Sequence, residues 1–185
     1  HAFMTHERFF IDYVQDLGGT AADWQALVQP TPDNVGIELG NGHTVIENPI
    51  GPLPMSANAA AHLASVKAKL EAKHGADRTR RMTGYSRNLL IFPNLIFVQN
   101  FRTVRTFYPV SPDYLEVSAW ALLPKGEPAE IRRLRHDNFI SFLGPGGFGT
   151  PDDVEALENC QRGFAATEVE WSDISRGMSR APTTS

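Results

Sequence analysis

Asn88-Leu89-Leu90-Ile91-Phe92-Pro93-Asn94-Leu95-Ile96-Phe97-Val98-Gln99-Asn100-Phe101 is the stretch on which the fold turns. Two runs rich in apolar and aromatic residues, Asn88 to Phe92 and Leu95 to Phe101, are split by a Pro-Asn step, the punctuation of a turn between strands. Val104 to Tyr108 and Leu115 to Leu123 follow at short intervals, so the centre reads as an antiparallel meander. Leu115, Val117, Ala119 and Ala121 alternate with Glu116, Ser118, Trp120 and Leu122, a set that is only partly polar. At least one face of the sheet is therefore expected under helices. Upstream, Val35 to Leu39 and His43 to Glu47 flank Gly40-Asn41-Gly42, the turn chemistry of a β-hairpin.

Helical spacing surrounds this core. Phe9, Phe10, Tyr13, Val14 and Leu17 predict a helix over Phe3 to Leu17, stopped by Gly18-Gly19. Residues 20–34 are polar, contain Pro30 and Pro32, and read as loop; Asn48 to Pro54, with three prolines, reads as a fixed connector. Ser56 opens a helix to His74 with Leu63, Val66 and Leu70 on one face and Gly75 as its C-cap. Arg78, Arg80 and Arg81 follow as a solvated segment before a strand, with steering of an anion as the alternative. A further helix starts near Pro128 with the stripe Ile131, Leu134, Phe139 and Phe142. The last begins where Thr150 can cap, Pro151 suits the first turn, and Asp152 and Asp153 favour the positive end. The class is α+β.

Composition bounds function. The 185 residues are 42% hydrophobic, enough for one domain with a substantial core. A net charge of -4 with no long basic run argues against nucleic acid. The longest apolar stretch, Leu89 to Val98, is too short for a bilayer span and holds Pro93 and Asn94. No secretory or transit pattern opens the chain and Cys160 is the single cysteine, so a reduced cytoplasmic setting is expected. One cysteine also excludes a Rieske cluster within this chain, which needs two cysteines and two histidines.

Candidate chemistry sits at the two ends. His1 and His6, in His1-Ala2-Phe3-Met4-Thr5-His6, are five positions apart, about 140° around a straight helix, so converging on one ion requires a local distortion. Two imidazoles and a carboxylate form the facial triad of non-haem Fe(II) sites, but a surface pair or a chain-end accident fits the spacing too. Gly144-Pro145-Gly146-Gly147-Phe148-Gly149 lacks the Lys-Ser/Thr of a phosphate-binding loop, and close backbone approach to a pocket is the better use of its glycines. Asp153 lies three residues after Thr150, as in a capping box, so cap and metal ligand both remain open for it. His43, His62, His74 and His136 read as surface or supporting residues.

Three motifs in register resemble the catalytic domain of the large (α) subunits of Rieske-type aromatic-ring-hydroxylating dioxygenases. The first is the His1-x4-His6 segment. The second is Asn88 to Leu95 with its Phe-Pro-Asn step, and the third is Gly144-Pro145-Gly146-Gly147 followed by Asp152-Asp153. The resemblance covers nearly the whole chain. It implies a helix-grip-like fold, an antiparallel sheet wrapped by helices, over residues 1–185, as a part of a larger chain. The family's Rieske domain would precede residue 1 and its C-terminal helix would follow Ser185, so the isolated segment is expected not to turn over.

By the same resemblance His1, His6 and Asp153 hold a mononuclear Fe(II), with one coordination face open to O2 beside the aromatic substrate. Phe3, Met4, Leu95, Phe97, Leu143 and Phe148 would line the substrate pocket, although plain core packing explains each as well. Electrons would come from NADH through a reductase, often a ferredoxin, and the Rieske [2Fe-2S] cluster of the parent protein, yielding a cis-dihydrodiol. The implied assembly is a trimer of α subunits, with or without β subunits. Arg80, Arg81 or Arg87 are the candidates for a substrate carboxylate. Two alternatives stand beside this reading: a helix-grip small-ligand or lipid-binding module without iron chemistry, and a monooxygenase or demethylase of the same family.

Overall fold

Asn41 and Gly42 both take positive φ, 52° and 80°, the two-residue turn whose twist matches that of the flanking strands. They set β1 (Val35–Gly40) against β2 (His43–Pro49), with Gly40 opposite His43. The computed structural model describes residues 6–16, 20–28, 33–50, 56–99, 101–173 and 175. Within them β3 (Tyr85–Ile91), β4 (Leu95–Val98), β5 (Thr103–Ser111) and β6 (Tyr114–Ala121) complete a six-stranded sheet in the order β1-β2-β3-β4-β5-β6, antiparallel throughout. The expected meander is present. β4 is shorter than its apolar run because the chain turns at Gln99: Arg102, at φ 48°, donates its backbone N–H to the Gln99 carbonyl at 3.1 Å.

Cross-strand pairing assigns the two faces, since directly opposed residues share a side and neighbours along a strand do not. Leu90 pairs with Ile96, Ile96 with Arg105 and Arg105 with Ala119. Phe107 and Val117 lie two residues further along the same side. The opposite face carries Val45, Glu47, Arg87, Leu89, Leu95 and Phe97.

Among the described residues six helices accompany the sheet: α1 (Glu7–Asp16), α2 (Ala21–Val28), α3 (Ala57–His74), α4 (Ala76–Thr83), α5 (Ala129–Leu143) and α6 (Gly149–Phe164). Ser56 caps α3 by accepting from the Ala59 N–H at 3.3 Å, and Gly75 ends it at φ 79°. Two helices replace expected coil. α2 lies inside the stretch read as loop, because Thr20 and Asp23 form a reciprocal cap: the Thr20 N–H and hydroxyl both donate to Asp23 Oδ2, at 2.7 and 2.8 Å, and the Asp23 N–H returns to Thr20 Oγ1 at 3.3 Å. α4 holds the arginine segment. Arg81 and Arg87 both reach Glu47, at 3.1 and 2.6 Å, and this ion cluster ties α4 to β2 and β3 on the Glu47 face.

The stripe expected on α5 holds at Ile131, Phe139 and Phe142 and departs at Leu134. Ile131 is buried, but Leu134 is 43% exposed. Arg135, one turn after Ile131, points inward instead and donates to Glu127 at 2.6 Å. Glu127 is nearly sealed from solvent and also meets His62 Nε2 at 3.6 Å. His62 thus joins the contact between α3 and the entry to α5, in the supporting role that was one of the two expected for it.

Candidate metal centre

The segment from Gly144 to Gly149 folds back so tightly that an added Cβ would clash at Gly144, Gly147 and Gly149. A Cβ on Gly147 would stand 2.7 Å from the Ser141 carbonyl oxygen, and one on Gly149 would stand 2.7 Å from the Phe142 ring. Phe148 donates its backbone N–H to the Ser141 carbonyl at 3.0 Å. The glycines therefore serve close approach to the end of α5, where approach to a pocket was expected. Thr150 is not a cap: α6 begins at Gly149, and Thr150 Oγ1 donates to the Leu143 carbonyl at 3.0 Å, pinning the loop. A capping box at Asp153 is excluded with it. The Asp152 carboxylate sits in the first turn of α6, where the helix dipole favours negative charge, and Asp153 follows it.

Both carboxylates converge on His6, which immediately precedes α1 and is 4% exposed. Nδ1 of His6 lies 3.1 Å from Asp152 Oδ2, and Nε2 lies 3.2 Å from Asp153 Oδ1. An ionised carboxylate only accepts, so either contact can take an imidazole N–H; with a cation on Nε2, the Asp152 contact would keep the proton on Nδ1. Two donors each about 2.1 Å from one ion, at right angles, stand about 3.0 Å apart. The Nε2 to Oδ1 separation matches such an edge, and the donor types are those of a first-row divalent metal. A carboxylate behind the ligating imidazole is the usual support of metal-bound histidine. These two donors fit two of the three ligand positions that the resemblance implies for iron.

Aromatic packing fixes the imidazole. The Phe142 ring is edge-on to His6 at 5.8 Å and stacked on Phe101 at 4.2 Å; Phe10 from α1 and Phe148 from the glycine loop close the cluster, the latter 4.8 Å from Phe142. Helix α1, the β4–β5 turn and the α5–α6 loop thus meet around one histidine.

Arg105 on β5 approaches from the sheet. Its Nη1 is 3.9 Å from Asp153 Oδ2 and its Nη2 donates to Thr150 Oγ1 at 3.3 Å. Burial pulls its pKa below the ordinary arginine value, and the Asp153 carboxylate acts in the opposite direction. Sequence reasoning passed over Arg105 and assigned Asp152 no partner. The signal for Arg105 was a lone cation inside the strand pattern Thr103-Val104-Arg105-Thr106-Phe107. For Asp152 there was none short of the fold.

The other expected site residues divide. His6 and Asp153 come together; His1, Phe3 and Met4 lie outside the described residues, and among the described residues no group of three histidine, cysteine or acidic side chains is arranged to hold a metal ion. Leu143 is buried and Phe148 packs in the aromatic cluster beside the centre. Leu95 and Phe97 point to the face opposite Arg105, since Ile96 is the residue paired with it. Arg81 and Arg87 belong to the Glu47 cluster on that opposite face, and Arg80 is exposed beside Asp77. His43 accepts the Phe92 backbone N–H at 3.0 Å, while His136 is exposed beside Asp137.

The fold is shared with solved structures. A naphthalene 1,2-dioxygenase variant bound to phenanthrene superposes with a TM-score of 0.72 at 20% identity, over 91% of this chain and 38% of the other. A naphthalene 1,2-dioxygenase with indole in its active site gives 0.68 at 19% identity, over the same shares. In sequence, the chain is 36% identical over 110 residues to the 2-halobenzoate 1,2-dioxygenase large subunit of Burkholderia cepacia and 38% over 111 residues to the toluate 1,2-dioxygenase subunit alpha of Pseudomonas putida. It is 37% identical over 109 residues to the anthranilate 1,2-dioxygenase large subunit of Acinetobacter baylyi. Each match uses 58–59% of this chain, which spans about a quarter of the length of these relatives. The model of the ring hydroxylating alpha subunit (catalytic domain) matches residues 29–180, and the chain belongs to that family.

Proposed function

We propose that this chain is the mononuclear iron domain of an oxygenase that dihydroxylates an aromatic ring, with His1, His6 and Asp153 as the ligands. The observation that carries the reading is the pair of donors, His6 Nε2 and Asp153 Oδ1, 3.2 Å apart with Asp152 on the far imidazole nitrogen. Bound there, Fe(II) supplies the coordination face at which O2 is activated beside the substrate. The chain's own residues do the rest. With the metal on Nε2, Asp152 would hold the proton on Nδ1, the Phe142 cluster holds the ring plane, and the start of α6 presents Asp153.

Substrate placement follows from the sheet. Leu90, Ile96, Phe107 and Val117 share the Arg105 face and form an apolar floor suited to an aromatic ring. Leu143 and Phe148 would close it from the glycine loop, and Phe3 and Met4 from the His1–His6 segment. The opposite-face position of Leu95 and Phe97 speaks for packing roles.

The named relatives at 36–38% identity are dioxygenases of halobenzoate, toluate and anthranilate, each an aromatic carboxylate, whereas the biphenyl dioxygenase relatives stand at 29%. This favours dioxygenation over demethylation and an acid over a bare hydrocarbon. Family membership likewise favours an oxygenase over a ligand carrier. The electrons would enter from NADH through a reductase or ferredoxin and a Rieske [2Fe-2S] cluster held elsewhere in the protein, and a trimer of α subunits is the expected assembly.

The test is Fe(II) titration of the full-length protein, with the Rieske iron counted separately from its absorbance. One further Fe(II) per chain is expected, lost in His6→Ala and in Asp153→Ala. Unchanged mononuclear binding in both variants would sink the proposal.

A further inference from the structure

We propose that Arg105 is the residue that reads the substrate, and that it does so by pairing with the carboxylate of an aromatic acid. The inference rests on the proposed iron site and assigns the specificity of that same site. Arg105 stands on the sheet face that carries Leu90, Ile96, Phe107 and Val117, at the end nearest Asp153. Its side chain is only 14% exposed, and an inward-facing cation among apolar neighbours needs a counter-ion.

What it has is incomplete. Asp153 lies 3.9 Å away, beyond hydrogen-bond reach, and Thr150 takes one of five N–H donors. The buried Nε has no hydrogen-bond partner among the described residues. A planar fork with spare donors beside an apolar floor is what a carboxylate on an aromatic ring requires.

Charge points the same way. With a divalent ion bound, its two positive charges and that of Arg105 face the negative charges of Asp152 and Asp153, leaving a surplus of one. A monoanionic substrate neutralises that surplus, and a neutral arene does not. The competing cations are elsewhere: Arg81 and Arg87 are committed to Glu47 on the other face.

The experiment measures binding of benzoate, benzamide and toluene to full-length, Fe(II)-loaded protein by calorimetry, in wild type, Arg105→Gln and Arg105→Lys. Benzoate should bind wild type at least tenfold more tightly than benzamide. Arg105→Gln should lose that preference while keeping its Fe(II) stoichiometry, and Arg105→Lys should restore part of it. Equal affinity of wild type for benzoate and benzamide overturns the assignment without any variant. So does a benzoate preference that survives in Arg105→Gln, or loss of Fe(II) from that variant, which would make Arg105 a support for Asp153. Failure of the wild type to bind mononuclear Fe(II) at all would instead overturn the iron reading beneath it.

Discussion

Nδ1 of His6 is 3.1 Å from Asp152 Oδ2 while its Nε2 is 3.2 Å from Asp153 Oδ1, so two adjacent aspartates grip opposite edges of one buried ring. The two carboxylates then have different jobs. Asp152→Asn keeps the shape but removes the anionic acceptor, and outer-shell losses of this kind cost about 10–100-fold in metal affinity. We expect Asp152→Asn to bind one mononuclear Fe(II) more weakly and Asp153→Ala to bind none, read by titration with a competing chelator.

Packing at the α5–α6 loop predicts a sharp contrast between neighbouring glycines. Gly147→Ala forces a methyl to 2.7 Å from the Ser141 carbonyl oxygen, whereas nothing lies within 4 Å of the corresponding point at Gly146. Overpacking of this kind costs about 1–3 kcal/mol. Gly147→Ala should lower the thermal midpoint by several degrees, and Gly146→Ala should leave it nearly unchanged.

Phe142 touches four rings, among them His6 and the stacked Phe101. Truncation of a packed aromatic costs about 3–5 kcal/mol, toward the low end for this half-buried side chain. Phe142→Ala should reduce stability in urea by about 3 kcal/mol and weaken Fe(II) binding as well, because His6 loses its edge-on support. Phe142→Leu should recover much of the stability.

Glu47 binds both Arg81 and Arg87 and is 7% exposed. Glu47→Gln keeps the size but leaves two guanidinium groups without their carboxylate, at a cost of about 2 kcal/mol. Because the cluster faces away from Asp153, the urea midpoint should fall while Fe(II) affinity stays within a factor of two.

The Asp23 carboxyl titrates below its ordinary value because the Thr20 hydroxyl and N–H both donate to it. A depressed acid stabilises the fold above its unfolded pKa, near 3.8, and the contribution disappears as pH falls through the folded value. Carboxyl NMR should show Asp23 titrating below 3.8 in the wild type and moving upward in Thr20→Ala.

The meander was legible because its information is local: alternating apolar runs, and a Gly-Asn-Gly tip whose positive φ values permit one tight turn. The helix boundaries at Ser56, Gly75 and Pro128 were legible for the same reason. α2 was missed although Thr20-Ala21-Ala22-Asp23 carries its cap, since the prolines that follow dominated the reading of residues 20–34. Of the stripe Ile131, Leu134, Phe139 and Phe142 only Leu134 is exposed, because a salt bridge to Glu127 turned Arg135 inward.

By itself the sequence determined the class, the first hairpin and the central antiparallel meander, which depend on residue type and short-range periodicity; the candidacy of His6 and Asp153 came from the resemblance of three motifs to a known family. Tertiary structure alone decided which atoms meet across 146 residues: that Asp152 reaches Nδ1 of His6, that Leu95 and Phe97 turn away, and that Arg105 faces the centre. The physical reason is register. A one-residue change in pairing exchanges every side chain between the faces of a sheet, so the membership of the site was set by how six strands align and where α6 begins.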